Sequence, residues 1–126
     1  MNKLQAYSAF WSGFGWPAYD ENSVPASNEQ ERISRLPYIT YETATDDFGR
    51  PLALTASLWD RSTEWTSVAE KESQISDFIG RGGRMIAYEN GAMWIRRGSP
   101  WSQRMAEEGN DTIRRIVLNI ELEFID

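Results

Sequence analysis

Residues 85–96 read Met85-Ile86-Ala87-Tyr88-Glu89-Asn90-Gly91-Ala92-Met93-Trp94-Ile95-Arg96, and the Asn-Gly pair inside them decides how the second half of the chain folds. Both central positions of a type I′ turn need positive φ, which Asn and Gly tolerate, so the flanks are expected to form a two-residue β-hairpin. Counting outward pairs Glu89 with Ala92, Tyr88 with Met93, Ala87 with Trp94, Ile86 with Ile95 and Met85 with Arg96. One face of this hairpin carries Ile86, Tyr88, Met93 and Ile95, which is core material. The other carries Met85, Ala87, Trp94 and Arg96, too apolar for open solvent and too polar for a core.

Toward the C-terminus, residues 98–112 contain Pro100, Trp101, Arg104 and Gly109-Asn110-Asp111 and read as a loop. Ile116, Leu118, Ile120, Leu122 and Phe124 then alternate with Val117, Asn119, Glu121 and Glu123. This is the cleanest period-2 strand of the chain, apolar inward and acidic outward. Toward the N-terminus, Trp65, Val68, Ala69, Glu72, Ile75 and Ile79 form one stripe of a helix over roughly 65–79, broken by a single acid. Ser67-Val68-Ala69-Glu70 has the form of a capping box, with Ser62 or Thr63 as alternative caps. Gly80 ends the helix.

The first half is simpler. Leu4, Tyr7, Phe10, Trp11 and Phe14 recur at helical spacing, predicting a helix over 2–13 that Gly13, Gly15 and Pro17 close. Residues 17–37, punctuated by three prolines, read as a long irregular stretch, either a flexible surface segment or an arm that orders against a neighbour. Residues 38–43 and 52–58 are β-branched, aromatic or alternating, and the turn chemistry of residues 46–51 should join them as a hairpin. The expected fold is therefore one α+β domain over residues 1–126. It consists of an antiparallel β-sheet, two hairpins plus a C-terminal strand, packed against two helices.

Composition narrows the function. The 126 residues include six tryptophans and neither histidine nor cysteine. That removes the side chain that titrates near neutrality, the thiolate nucleophile, the soft metal ligand and the disulfide. Large aromatic surface in a small domain is the material of cores and protein–protein interfaces. A net charge of −6 argues against tight wrapping of nucleic acid. No apolar run approaches a bilayer-spanning length, so no membrane partner is expected, and the N-terminus lacks a signal-peptide core. Charge is segregated. Residues 81–104 hold five arginines against the single acid Glu89, and residues 107–126 hold six acids against Arg114 and Arg115. Such opposed bands suit head-to-tail contact between identical subunits, or two solvated faces of mixed charge.

No P-loop, dinucleotide, zincin or EF-hand pattern occurs, and Ser–His–Asp logic fails without histidine. The enzymatic alternative is a Mg²⁺-dependent phosphodiesterase using Glu42, Asp46, Asp47 or Asp60. Asp46-Asp47, however, sits in a turn sequence that favours aspartate for local hydrogen bonding. No catalytic residue, metal or cofactor is assigned.

Several segments together carry a family resemblance. They are Pro17-Ala18-Tyr19-Asp20-Glu21-Asn22-Ser23-Val24-Pro25, Leu36-Pro37-Tyr38-Ile39-Thr40-Tyr41, Phe48-Gly49, Leu54-Thr55-Ala56-Ser57-Leu58-Trp59 with Arg61-Ser62-Thr63, Ile79-Gly80-Arg81-Gly82-Gly83, Trp94-Ile95-Arg96-Arg97-Gly98-Ser99-Pro100 and Arg115-Ile116-Val117-Leu118-Asn119-Ile120. In order and spacing, from Pro17 onward, the chain resembles the tail-completion proteins of siphophages and related prophages, in particular the tail terminator (tail-to-head joining) proteins. The resemblance implies an α+β subunit that forms a homohexameric ring and caps the tail tube at its head-proximal end. Its partners would be other copies of itself, the tail tube protein and the head–tail connector, with DNA present only in transit through the lumen. It would be located in the virion, and in the host cytoplasm during assembly. A head-completion stopper or a minor tail-tube protein is the neighbouring reading. Candidate interface residues are Trp94, Arg96, Arg97, Trp101 and Arg104 with Arg81 and Arg84, since Trp and Arg are enriched at interface hot spots. Glu121 and Glu123, with Glu107 and Glu108, are candidates for a lumen that DNA slides past.

Overall fold

The computed structural model describes residues 1–21, 23–43, 50–106 and 112–125. The elements run α1 (Lys3–Ser12), β1 (Ala18–Asp20), α2 (Glu29–Ser34), β2 (Tyr38–Tyr41), β3 (Leu52–Arg61), α3 (Thr66–Ile79), β4 (Arg84–Tyr88), β5 (Gly91–Ala106) and β6 (Ile113–Ile125). All six strands belong to one curled sheet in the order β1-β2-β3-β6-β5-β4.

The long alternating strand β6 takes the centre because it can be buried on one face along its whole length. Ile116, Leu118, Ile120, Leu122 and Phe124 are all at most 3% exposed. Leu54, Ala56 and Leu58 of β3 flank them on one side and Met93 and Ile95 of β5 on the other. Helices α1 and α3 cover this inner face. In α1, Asn2 and Gln5 form a reciprocal capping box (Gln5 N–H to Asn2 Oδ1 2.9 Å, Asn2 N–H to Gln5 Oε1 3.0 Å). The helix buries Ala6, Tyr7, Phe10 and Trp11, and Leu4, on the expected stripe, stays half exposed. The apolar stripe of α3 delivers Val68, Ile75 and Ile79 to the same core.

The expected pair of hairpins plus a strand on two helices is corrected in four ways. First, the sheet is mixed. Ala18–Asp20 adds as an edge strand parallel to β2, inside the stretch expected to be irregular. Three residues are too few to show any alternation. Second, a third helix, α2, forms in the same stretch. Asn28 caps it by accepting the Glu31 N–H at 2.8 Å, and none of its residues is buried, so no apolar stripe announced it. Third, β5 does not stop at Arg97 but runs to Ala106 past a bulge. Arg97 pairs with Ile120 and Ser102 with Leu118, so residues 98–101 bulge opposite Asn119. The Asn119 amide closes the bulge by donating to the Pro100 carbonyl at 3.0 Å. Fourth, Ser67 does not cap α3. Trp65 occupies the N-cap position without a side-chain cap bond, and the Ser62 hydroxyl accepts the Glu64 N–H at 3.0 Å in the preceding turn.

The β4–β5 hairpin forms, with its turn one residue earlier than expected. Tyr88 pairs with Gly91 and Ile86 with Met93, and the positive φ falls on Asn90 (67°). Each partner slips by two residues, an even number, so every side chain keeps its expected face. The turn expected at residues 46–51 lies largely outside the described residues.

Candidate functional site

Among the described residues, α1 and α3 pack on the inner face only, and on the outer face over β4, β5 and β6 the strand register arranges the side chains in rows. Ala87, Ala92 and Ile125 form one row, and Met85, Trp94 and Glu123 the next. Arg96, Glu121 and Ala53 form a third. Two of the expected interface residues and two of the expected lumen residues thus share one cluster. The Arg96 guanidinium stacks 4.0 Å above the Trp94 ring and reaches Glu121 at 3.3 Å and Glu123 at 3.8 Å. Partly exposed pairs of this kind contribute about 0–1 kcal/mol each, so the cluster orders side chains more than it stabilises the fold.

Trp94 is held by the loop that follows α3. Its indole N–H donates to the Gly82 carbonyl at 3.0 Å. Gly83 makes this possible, since its φ is +89° and a Cβ there would sit 2.5 Å from Trp94 Nε1 and 2.7 Å from the Ile95 carbonyl. The Gly-Arg-Gly-Gly stretch is therefore a close-approach device for one tryptophan. Beside the cluster the β5 bulge opens a cavity of about 400 Å³, lined by Thr55, Gly98, Pro100, Gln103, Asn119 and Glu121 among others.

The remaining interface candidates lie elsewhere. Arg97, Trp101 and Arg104 turn to the helix-bearing side. Arg97 Nη1 donates to Ser76 Oγ at 2.9 Å, the Trp101 indole N–H donates to Glu72, and Arg104 lies 5.0 Å from the Trp65 ring. The one acid in the α3 stripe is explained by that indole of Trp101. Arg84 Nε donates to the Phe78 carbonyl at 2.9 Å and its guanidinium lies 4.2 Å over the Phe78 ring. Arg81 is exposed in the turn after α3. Glu107 and Glu108 lie outside the described residues.

One constellation has no counterpart in the sequence reading. Under α2, the Trp59 ring has Arg115 at 4.4 Å and Arg32 at 5.3 Å. Arg115 donates to Ser57 Oγ at 3.1 and 3.0 Å, and Trp59 donates to Thr40 Oγ1 at 3.0 Å. These groups line a cavity of about 330 Å³ together with Glu21 and Tyr38. The contributors lie on α2, β2, β3 and β6, too far apart in sequence for any local pattern to join them.

Of the Mg²⁺ set, the two described members, Glu42 and Asp60, are not brought together. Glu42 accepts the Thr55 N–H at 3.0 Å, and Asp60 lies five residues along β3 from Thr55 with opposite parity, roughly 16 Å away by strand rise. Asp60 accepts the Arg61 N–H at 2.8 Å. Asp46 and Asp47 lie outside the described residues. Among the described residues, no group of three or more His, Cys, Asp or Glu could hold a metal ion, and no helix is long and apolar enough to cross a membrane.

No protein-family model matches the chain, and no curated protein matches it in sequence. Among solved structures it is similar to a chain of the virion of a native gene transfer agent particle. The TM-score is 0.53 at 18% identity, and the match covers 98% of this chain and 89% of that one. At this identity the likeness is one of fold, and it extends over nearly the whole of both chains.

Proposed function

We propose that this chain is a structural protein of a phage or phage-like virion, and that it forms a ring capping the tail tube at its head-proximal end and joining tail to head. The observation that carries the reading is the end-to-end fold likeness to a chain of a gene transfer agent virion. Two further features support it. The outer sheet face offers an aromatic and charged cluster, Trp94 with Arg96, of the composition found at interface hot spots. The same face carries Glu121 and Glu123, of which Glu121 is half exposed, and carboxylates suit a wall past which DNA moves without sticking. The partners are further copies of the chain, hexameric in the family it resembles, together with the tail tube protein and the head–tail connector. The protein belongs in the virion, and in the host cytoplasm while tails are assembled.

Electron microscopy of the purified protein mixed separately with tail tubes and with DNA-filled heads tests this. The expected result is a ring on one end of the tube. Binding to heads alone would replace the terminator reading with that of a stopper, and binding to neither would remove the tail-assembly role.

A further inference from the structure

We infer that the cavity beneath α2 is a binding site for a single carboxylate group, held by Arg115 and by the hydroxyl protons of Ser57, Thr40 and Tyr38. The site goes beyond the ring reading and does not depend on it. Ile39, Leu58 and Ile116 lie side by side across β2, β3 and β6 and point into the core. By alternation the next rows, Thr40 with Ser57 and Tyr38 with Trp59 and Arg115, stand on the outer face. The cavity they line measures about 330 Å³, at the small end of the range for small-molecule sites.

The hydrogen bonds already made around this cavity leave it rich in donors. Ser57 Oγ accepts two N–H groups of Arg115, at 3.1 and 3.0 Å. Both lone pairs are thereby used, and the hydroxyl has only its proton left to offer. Thr40 Oγ1 accepts the Trp59 indole N–H at 3.0 Å, and Tyr38 Oη accepts Arg32 Nη1 at 3.2 Å; each hydroxyl keeps its own proton. The Thr55 hydroxyl is spent on Glu42. Strand pairing on both sides takes up the backbone of β2 and β3. Ser57 and Tyr38 are buried, where a donor without an acceptor is costly. An acceptor from outside the chain completes the set.

Charge decides the class of that acceptor. Arg32 is already neutralised, since Glu29 takes its Nε at 2.9 Å and its Nη2 as well. Arg115 lies 4.4 Å from the Trp59 ring, and among the described residues no carboxylate pairs with it. Its Nε and Nη2 each give one proton to Ser57, which leaves Nη1 and the second Nη2 proton, one edge of the guanidinium fork. A planar carboxylate meets such an edge with two parallel hydrogen bonds, and its single charge matches the single uncompensated cation. A phosphate dianion would bring one charge too many. Glu21, the one acid among the lining residues, is exposed and acts as a competitor at the rim. The carboxylate belongs either to a free small acid or to an acidic side chain of another protein.

Sodium acetate and the capped peptide acetyl-Gly-Glu-Gly-amide, titrated at constant ionic strength, present the carboxylate free and on a chain. The Trp59 indole N–H, which is bonded to Thr40, reports occupancy through its NMR resonance, assigned by its loss in Trp59→Phe. Both probes are expected to shift it saturably. Tighter binding of acetate points to a free acid, and tighter binding of the peptide to an acidic side chain. Inorganic phosphate should bind more weakly than acetate. Arg115→Lys keeps the charge but not the fork and should weaken binding about tenfold or more, with a thermal melt that shows an intact fold. Tyr38→Phe removes one donor where Arg32 still holds Glu29; it should weaken binding several-fold, and it carries the test if Arg115→Lys does not fold. Glu21→Gln should tighten binding by removing the competitor. A Trp59 resonance that neither carboxylate moves would overturn the inference. So would unchanged binding in a folded Arg115→Lys or in Tyr38→Phe, phosphate binding tighter than acetate, or weaker binding in Glu21→Gln.

Discussion

Replacing Tyr7 with phenylalanine should change how stability responds to alkali while leaving the fold intact. Tyr7 is 1% exposed, wedged edge-on against Tyr41 at 5.6 Å and Trp11 at 6.4 Å between ring centroids. Burial drives its phenol pKa well above the ordinary value. The Trp11 indole N–H offsets part of this, and the Glu42, Tyr41 and Asp20 charges add to it. Neither Tyr7 Oη nor Trp11 Nε1 has a partner of full hydrogen-bonding geometry. In the unfolded chain the same phenol ionises near pH 10. The folded state therefore keeps a proton that the unfolded state releases. The contribution of Tyr7 is whole below about pH 10 and is lost as pH rises, at about 1.4 kcal/mol per pH unit. At about pH 11 the natural chain should have lost about 1.4 kcal/mol on this account, a loss that Tyr7→Phe does not share. At neutral pH the variant should be as stable as the natural chain or slightly more so, because the hydroxyl it removes is buried without a full partner. Urea unfolding of both proteins at a series of pH values reads the difference. If the two stability curves fall in parallel above about pH 10, Tyr7 ionises as freely folded as unfolded, and the burial argument is wrong.

Leu118→Ala, at a fully buried position of the central strand, should cost about 2–5 kcal/mol by loss of transfer energy and a cavity; calorimetry checks it. Gly83→Ala should destabilise by about 1–3 kcal/mol or more, since it forces a side chain into a left-handed φ and pushes a methyl against Trp94. A change in tryptophan fluorescence should accompany the loss, and an unchanged melt would refute the close-approach reading of that glycine. If the outer face lines a conduit, Glu121→Lys with Glu123→Lys should give rings that form but gain salt-sensitive DNA binding in a filter assay. Glutamines at the same positions should not, and failure of lysine rings to assemble would place these carboxylates at the subunit contact instead.

Elements that carry their own periodicity were legible in the chain alone. Alternation from Ile116 to Phe124 specified the central strand and its outward acids, and every apolar member of that alternation is buried. Helical spacing specified α1 and α3, and Asn90 marked the hairpin. The faces of that hairpin survived a misplaced turn because side-chain direction depends only on parity. Whatever needed a partner distant in sequence was set by the assembled sheet. Ala18–Asp20 is a strand only because β2 offers it an edge. The residues bulged at 98–101 are tolerated because Asn119 satisfies the Pro100 carbonyl, and past them Ser102 and Arg104 share the core-facing side of Leu118 and Ile116. Arg96 meets Glu121 and Glu123 because β5 and β6 are neighbours. Opposed charge bands along a chain leave open whether they attract within a subunit or between subunits, and strand order resolves it for these three residues. Periodicity is a property of a segment and is written in it, whereas pairing is a property of two segments and emerges only when the whole core closes.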